Sequence, residues 1–427
     1  MSSRTPSGPS GRAAARHGWV QALATVLAGL VTMGAVAALG LWAAGAADLP
    51  DNAFPRVVTA TVVTAVGGAL ELSGDAGEFA DTDAGLSVIP LSVTLTGALV
   101  IARGFLRPLR HRAVAGVPEL AGWTGRIAVL WLLALLGLSF AARQTFEVSL
   151  GEGALTDLGD LFGIRPRVGF TTDVPLTVLF GTLWLAGVLV LALLVSRGAP
   201  LPGRLLRPQT SVRPAAYAMV ALLLVYVVVG ALVALVVAGT RGHPADTFAV
   251  LLLGLPNLAW LALTIGLGAS WDGRVEGPFG LPMPHVLDEV LRTPDVSTLN
   301  LGTLTERDGR WWWLLAVAAV LVLAAGFVLA SRSPAGTPAW LHAVRMGVAL
   351  ALTVLMIGLV GRISVHYGLS VLGIGDLGGG LSGRLFLRPR LRGAVGLALL
   401  WGLVAGFLGA LLARWVGRRG GRAPAGP

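Results

Sequence analysis

The sequence predicts an all-α, polytopic transmembrane bundle of eight to ten spans, and three observations predict it. Apolar runs of about 20 residues or more recur at 19–47, 174–195, 215–238, 311–330 and 395–413, and a helix of about 20 residues crosses the ~30 Å hydrocarbon core. No ionisable side chain lies in the middle of these runs. Finally, 55% of the 427 residues are hydrophobic and the mean hydropathy is +0.78. The longest polar stretch is roughly 40 residues, below the ~50 that a soluble domain needs.

Charge then orders the spans. All 32 basic residues are Arg, and most stand in short clusters beside apolar runs, where membrane orientation explains the formal charge of +10 without nucleic acid. The absence of Cys excludes disulfides and thiolate chemistry, and the absence of Lys excludes P-loop and Schiff-base chemistry. Abundant Ala, Gly, Val, Leu and Arg point to a GC-rich bacterial source and a bacterial plasma membrane. The tail 1–17, with Arg4, Arg12 and Arg16, is expected in the cytoplasm, followed by one membrane domain over 18–414 and a basic tail over 415–427. The 29-residue run 19–47 is about twice a signal h-region, so it is expected to stay as the first span.

Nine apolar segments follow: 18–46, 87–103, 124–142, 174–196, 214–239, 247–270, 311–331, 343–361 and 393–413. Nine crossings would put the acidic 271–310 loop in the cytoplasm and the basic C-terminal tail outside. If 247–270 enters and leaves by one face, 18 Arg and one acid (Glu119) fall inside, against 14 Arg and 21 acids outside. The Arg count carries this orientation, because acids orient helices weakly. Within that segment Pro256-Asn257 predicts either a break into two half-helices, because proline lacks an amide donor and clashes with the preceding turn, or a kinked helix that still spans. Such a break must face protein or a watery cavity. Residues 57–70 look like a weaker copy, apolar but too short to cross.

Each of four units, 18–103, 124–196, 214–331 and 341–414, is expected to go out, carry an external loop and return. Gly74-Asp75, Gly159-Asp160 and Gly375-Asp376 mark turns in three of these loops, and the third unit offers Trp271-Asp272-Gly273 instead. Leu183-Trp184 and Leu400-Trp401 follow the last two Gly-Asp pairs at nearly equal distance. Trp311, Trp312 and Trp313 read as an interfacial anchor.

The stretch 251–284 (LLLGLPNLAWLALTIGLGASWDGRVEGPFGLPMP), FLRPLR at 105–110 and the overall composition resemble the streptophobe family of actinobacterial membrane proteins. The resemblance implies a multi-pass, repeated architecture and transfers no catalytic residue.

Function is bounded mainly by exclusion. Ion-coupled carriers hold charge near the bilayer midplane, and these spans offer only Asn257 and scattered Thr and Ser. The six His show no metal-ligand spacing, and no G-x-S-x-G is present. The expectation is a non-enzymatic envelope protein without cofactor or metal, acting as scaffold, partner subunit or passive conduit. Its partners would be the lipid bilayer and another membrane protein. The alternatives are a transporter of a neutral or lipidic solute and, behind it, an envelope lipid or sugar transferase.

Overall fold

Within hydrocarbon only a helix satisfies its own backbone, and every long apolar run forms one. The computed structural model describes residues 10–48, 53–75, 80–109, 117–147, 167–196, 203–240, 244–276, 290–292, 296–334, 336–371 and 383–420. The first half holds α1 (Ser10–Ala43), α2 (Phe54–Ala65), β1 (Leu70–Asp75), β2 (Ala80–Ser87), α3 (Leu91–Leu106), α4 (Val117–Ala141), β3 (Gln144–Glu147), β4 (Arg167–Thr172) and α5 (Val174–Val195). The second half holds α6 (Gly203–Thr240), α7 (Pro244–Gly266), β5 (Trp271–Glu276), β6 (Ser297–Leu299) and α8 (Leu301–Arg307). It continues with α9 (Trp313–Arg332), α10 (Ala339–Val360), β7 (Ile363–Val371), β8 (Gly383–Pro389) and α11 (Leu391–Gly420). The protein is a multi-pass helical bundle, with eight helices long and apolar enough to cross a membrane.

The connecting segments, expected as loops, supply strands that join in one eight-stranded antiparallel sheet of order β3-β4-β1-β2-β7-β8-β5-β6. Alternation drives it. In β5, Trp271, Gly273 and Val275 are buried while Asp272 and Arg274 are not, and in β8 the buried Leu385 and Leu387 flank Phe386 and precede exposed Arg388. One face therefore packs on the helices, where Trp271, Val275, Leu299, Leu385 and Leu387 form a core with Leu261 and Leu314.

The sheet gives every helix a direction. The helices α1, α4 and α10 lead toward the strands, α3, α5, α9 and α11 lead away from them, and α6 starts on the far side, because Tyr217 lies under Arg332 at the far end of α9. From Tyr217, the 23 residues to the end of α6 climb about 35 Å, back to the sheet side. The 23-residue α7 thus starts beside the sheet-side end of α6 and ends four residues before β5, so both its ends lie on one side despite its length. In exchange the 16-residue α3, about 24 Å long, crosses, with Leu91 at the sheet side and the Phe105 carbonyl bonded at the far side to Trp123 Nε1 (3.2 Å). With α3 in the place of α7 from the eight long apolar helices, the helices that run from one side to the other are α1, α3, α4, α5, α6, α9, α10 and α11.

The two halves pack alike. In the first, α1 and α5 each pack against both α3 and α4; in the second, α6 and α11 each pack against both α9 and α10. Each half has its own core, one around Trp131, Ile127, Ile101, Phe105 and Met33, the other around Leu222, Val322, Met346, Leu350 and Leu263. The short helix α2 matches α7 in place and ending. Gly67 (φ 90°) and Gly268 (φ 91°) each stand two residues past the helix end, and each ending carries the same pair of turn hydrogen bonds. Those bonds are Gly67 N–H to the Thr64 carbonyl and Gly68 N–H to Val63, then Gly268 N–H to Ile265 and Ala269 N–H to Thr264. Trp184 and Trp401 likewise each stand ten residues past the first residue of their helix.

Candidate functional site at the junction of the halves

Pro256 and Asn257 do not split their segment into two half-helices, because α7 runs continuously from Pro244 to Gly266 through Pro256. The physical reason lies in α3. The Ser92 hydroxyl donates to the Leu251 carbonyl (2.9 Å) and accepts from the Leu255 N–H (3.2 Å), bridging the turn just before the proline. A neighbouring helix thereby supports backbone that the proline weakens. Asn257 serves the other helix in return. Its Oδ1 accepts from the Leu91 N–H (3.1 Å), a donor of the first turn of α3 with no partner within that helix, and its Nδ2 donates to the Ile89 carbonyl (2.9 Å). Ser92 thus supports the backbone that Pro256 weakens, and Asn257 caps α3.

Both halves hold α7. A methyl group on Gly40 of α1 would lie 2.7 Å from Leu253 Cγ, and one on Gly266 would lie 2.6 Å from the Leu314 carbonyl of α9. Trp260 Nε1 donates to the Leu223 carbonyl of α6 (3.2 Å), and Trp401 Nε1 of α11 donates to the Leu267 carbonyl just past α7 (3.1 Å). The helix is a wedge between the two bundles. Both polar atoms of Asn257 are engaged, and the two clefts described below lie elsewhere.

Of the expected turn residues, Gly74 and Asp75 end β1, with Asp75 opposite Asp81 and Arg167 in the ladders. Gly159, Asp160, Gly375 and Asp376 lie outside the described residues. In the third unit Asp272 instead forms a surface cluster: it accepts twice from Arg390 Nε (3.0 Å each) and lies 2.8 Å from Arg390 Nη2, while Nη2 also donates to Thr298 Oγ1 (3.2 Å). Hydrogen bonding to Asp272 and its charge raise the Arg390 pKa above the ordinary arginine value. Of the aromatic triplet, Trp312 is exposed, while Trp311 and Trp313 stack on each other with centroids 6.5 Å apart and pack on the sheet-side core.

Two clefts stand out. One of about 530 Å³ on the sheet side is lined by Arg362, Ile363, Ser364, Arg388 and Pro389. The other, about 470 Å³, lies on the far side between the ends of α5 and α9 and the Arg213–Tyr217 turn of α6. Among the described residues no three His, Asp or Glu side chains gather to hold a metal. Sequence reasoning missed Ser92, whose role depends on a partner 159 residues away. It also missed Tyr226, buried in the second core with no hydrogen-bond partner for its hydroxyl among the described residues.

No family model, curated protein or solved structure matches the chain. The arrangement so far defines a multi-pass membrane protein with two like halves under a shared sheet.

Proposed function

We propose that this is a non-enzymatic scaffold of a bacterial plasma membrane, with its N-terminus in the cytoplasm and its sheet outside, where it presents a rigid platform to another envelope protein. The observation that carries this reading is the β2–β7 ladder. It joins the halves over eight residue pairs, from Ala80 with Val371 to Ser87 with Ser364, and α7 is wedged beneath it. A carrier whose halves rock apart on that side would have to break the ladder and free α7 from both bundles. The Arg distribution supports the orientation, since the far side holds the basic clusters.

The chain contains no Cys, so a disulfide between cysteines placed at the paired positions Leu86 and Val365 would lock the halves cleanly. We expect the locked protein to retain any partner that co-purifies with the wild type, and neither form to pass neutral solutes in proteoliposomes. Flux through the reduced protein that stops on oxidation would replace this reading with transport.

A further inference from the structure

We infer that the far-side cleft binds the phosphate of an anionic glycerophospholipid headgroup and that this lipid seals the seam between the halves. The halves are tied by ladder and wedge on the sheet side, and among the described residues α5 and α6 also pack together across the seam. There the cleft opens, with Val195 from the first half and Arg213, Tyr217, Arg332, Ser333 and Pro334 from the second among its walls. Its volume of about 470 Å³ falls within the range of small-ligand sites, roughly 300–1,000 Å³.

The chemistry of the walls selects an anion. Two guanidinium groups and the Ser333 and Tyr217 side chains line the cleft, and among the described residues no carboxylate does. Arg332 is fixed in place, with Cζ 3.5 Å from the centre of the Tyr217 ring, and stacking leaves the in-plane N–H donors of the fork free to grip phosphate oxygens in pairs. Position selects a lipid over a free anion. The cleft sits at the last turns of α5 and α9 and at the start of the apolar span of α6, at headgroup depth, and exposed Val190 and Leu191 of α5 continue below it as a surface for an acyl chain. Basic pockets between helix ends are a known setting for anionic headgroups.

The test is native mass spectrometry of the full chain released from mixed vesicles of phosphatidylglycerol and phosphatidylcholine. The wild type should retain phosphatidylglycerol in preference to phosphatidylcholine, and Arg213→Gln with Arg332→Gln should reduce that retention at least about tenfold, since hydrogen bonds to charged groups are the strong ones. Arg362→Gln with Arg388→Gln, which removes as much charge from the sheet-side cleft, should leave it unchanged. Tyr217→Leu, which keeps every charge, should lower retention by removing the platform under Arg332, and it decides the matter if the double variant does not fold. Equal retention by wild type and variants, or an equal loss from the control pair, would overturn the site. Displacement of the lipid by millimolar inorganic phosphate would overturn the lipid assignment.

Discussion

The two halves share a plan and differ in how their helices touch. In the first, glycines face side chains: a methyl group on Gly29 would meet Ile101 Cγ1 at 2.6 Å, one on Gly104 would meet Thr25, and one on Gly97 would meet the Met33 thioether. Large rings fill the rest, as where Trp131 stacks on Trp184 (5.2 Å between centroids) and donates to the Gly181 carbonyl (3.0 Å). In the second, the glycines of α11 that meet α9 and α10 face backbone. Methyl groups on Gly402 and Gly406 would lie 2.6 Å from Gly347 Cα and 2.6 Å from the His342 carbonyl, and one on Gly409 would strike Gly326. The lesson is that one packing scheme tolerates two kinds of interface, a pliable one of side chains and a rigid one where α11 touches α9 and α10 main chain to main chain.

That contrast can be broken directly. Gly406→Val should abolish the folded protein, and Gly406→Ala should cost about 3 kcal/mol, the upper end of overpacking, because a carbonyl cannot move aside without moving its helix. Gly97→Ala in the first half should cost about 1 kcal/mol or less, since the flexible Met33 side chain can swing away. Gly393→Ala and Gly396→Ala, on the same helix as Gly406 with open space at both positions, should be neutral or slightly stabilising. Thermal unfolding in detergent ranks the four alanine substitutions. Equal losses at Gly406 and Gly97 would remove the distinction.

A smaller effect is expected at the wedge. Asn257→Ala leaves the Leu91 amide and the Ile89 carbonyl without their partner, which should cost about 2 kcal/mol and lower the unfolding midpoint. Asn257→Asp keeps an acceptor for Leu91 but loses the donor to Ile89, so it should fall between wild type and Ala. An Asn257→Ala protein as stable as wild type would show that the α3–α7 contact does not hold the halves.

The sequence made some of this legible. Length and hydropathy exposed the helices, and the arginine count placed both ends of 247–270 on one side, where α7 has them. The ending of that segment was harder to foresee. Proline chemistry predicts a break at Pro256, but Ser92 supplies the backbone support locally, and no local pattern pairs residues so far apart. The sheet was hidden for a related reason. Its strands are three to nine residues long, several contain Gly, and β2 pairs with a strand almost 300 residues later. Alternation in Trp271-Asp272-Gly273-Arg274-Val275 was visible, yet without partners so short a pattern does not stand apart from a loop.

A small effect should also come from Pro256→Ala. With α7 already continuous and held by Ser92, Asn257, Gly40 and Leu314, a new amide at residue 256 should change stability by less than about 1 kcal/mol and leave both ends of α7 on their present side. A mixed topology of the flanking segments would show that the proline, not the packing, sets the path of α7.

The helix α7 starts and ends on the sheet side, so that two bundles of four helices stand under one sheet. Single cysteines at Ala245, at the start of α7, and at Val296, beside β6, test it against Pro338, at the far-side start of α10; all three positions are exposed. An impermeant maleimide applied to intact cells should label Ala245→Cys and Val296→Cys alike and Pro338→Cys only after permeabilisation. Opposite responses from Ala245→Cys and Val296→Cys would mean that α7 crosses the membrane, and would contradict the account.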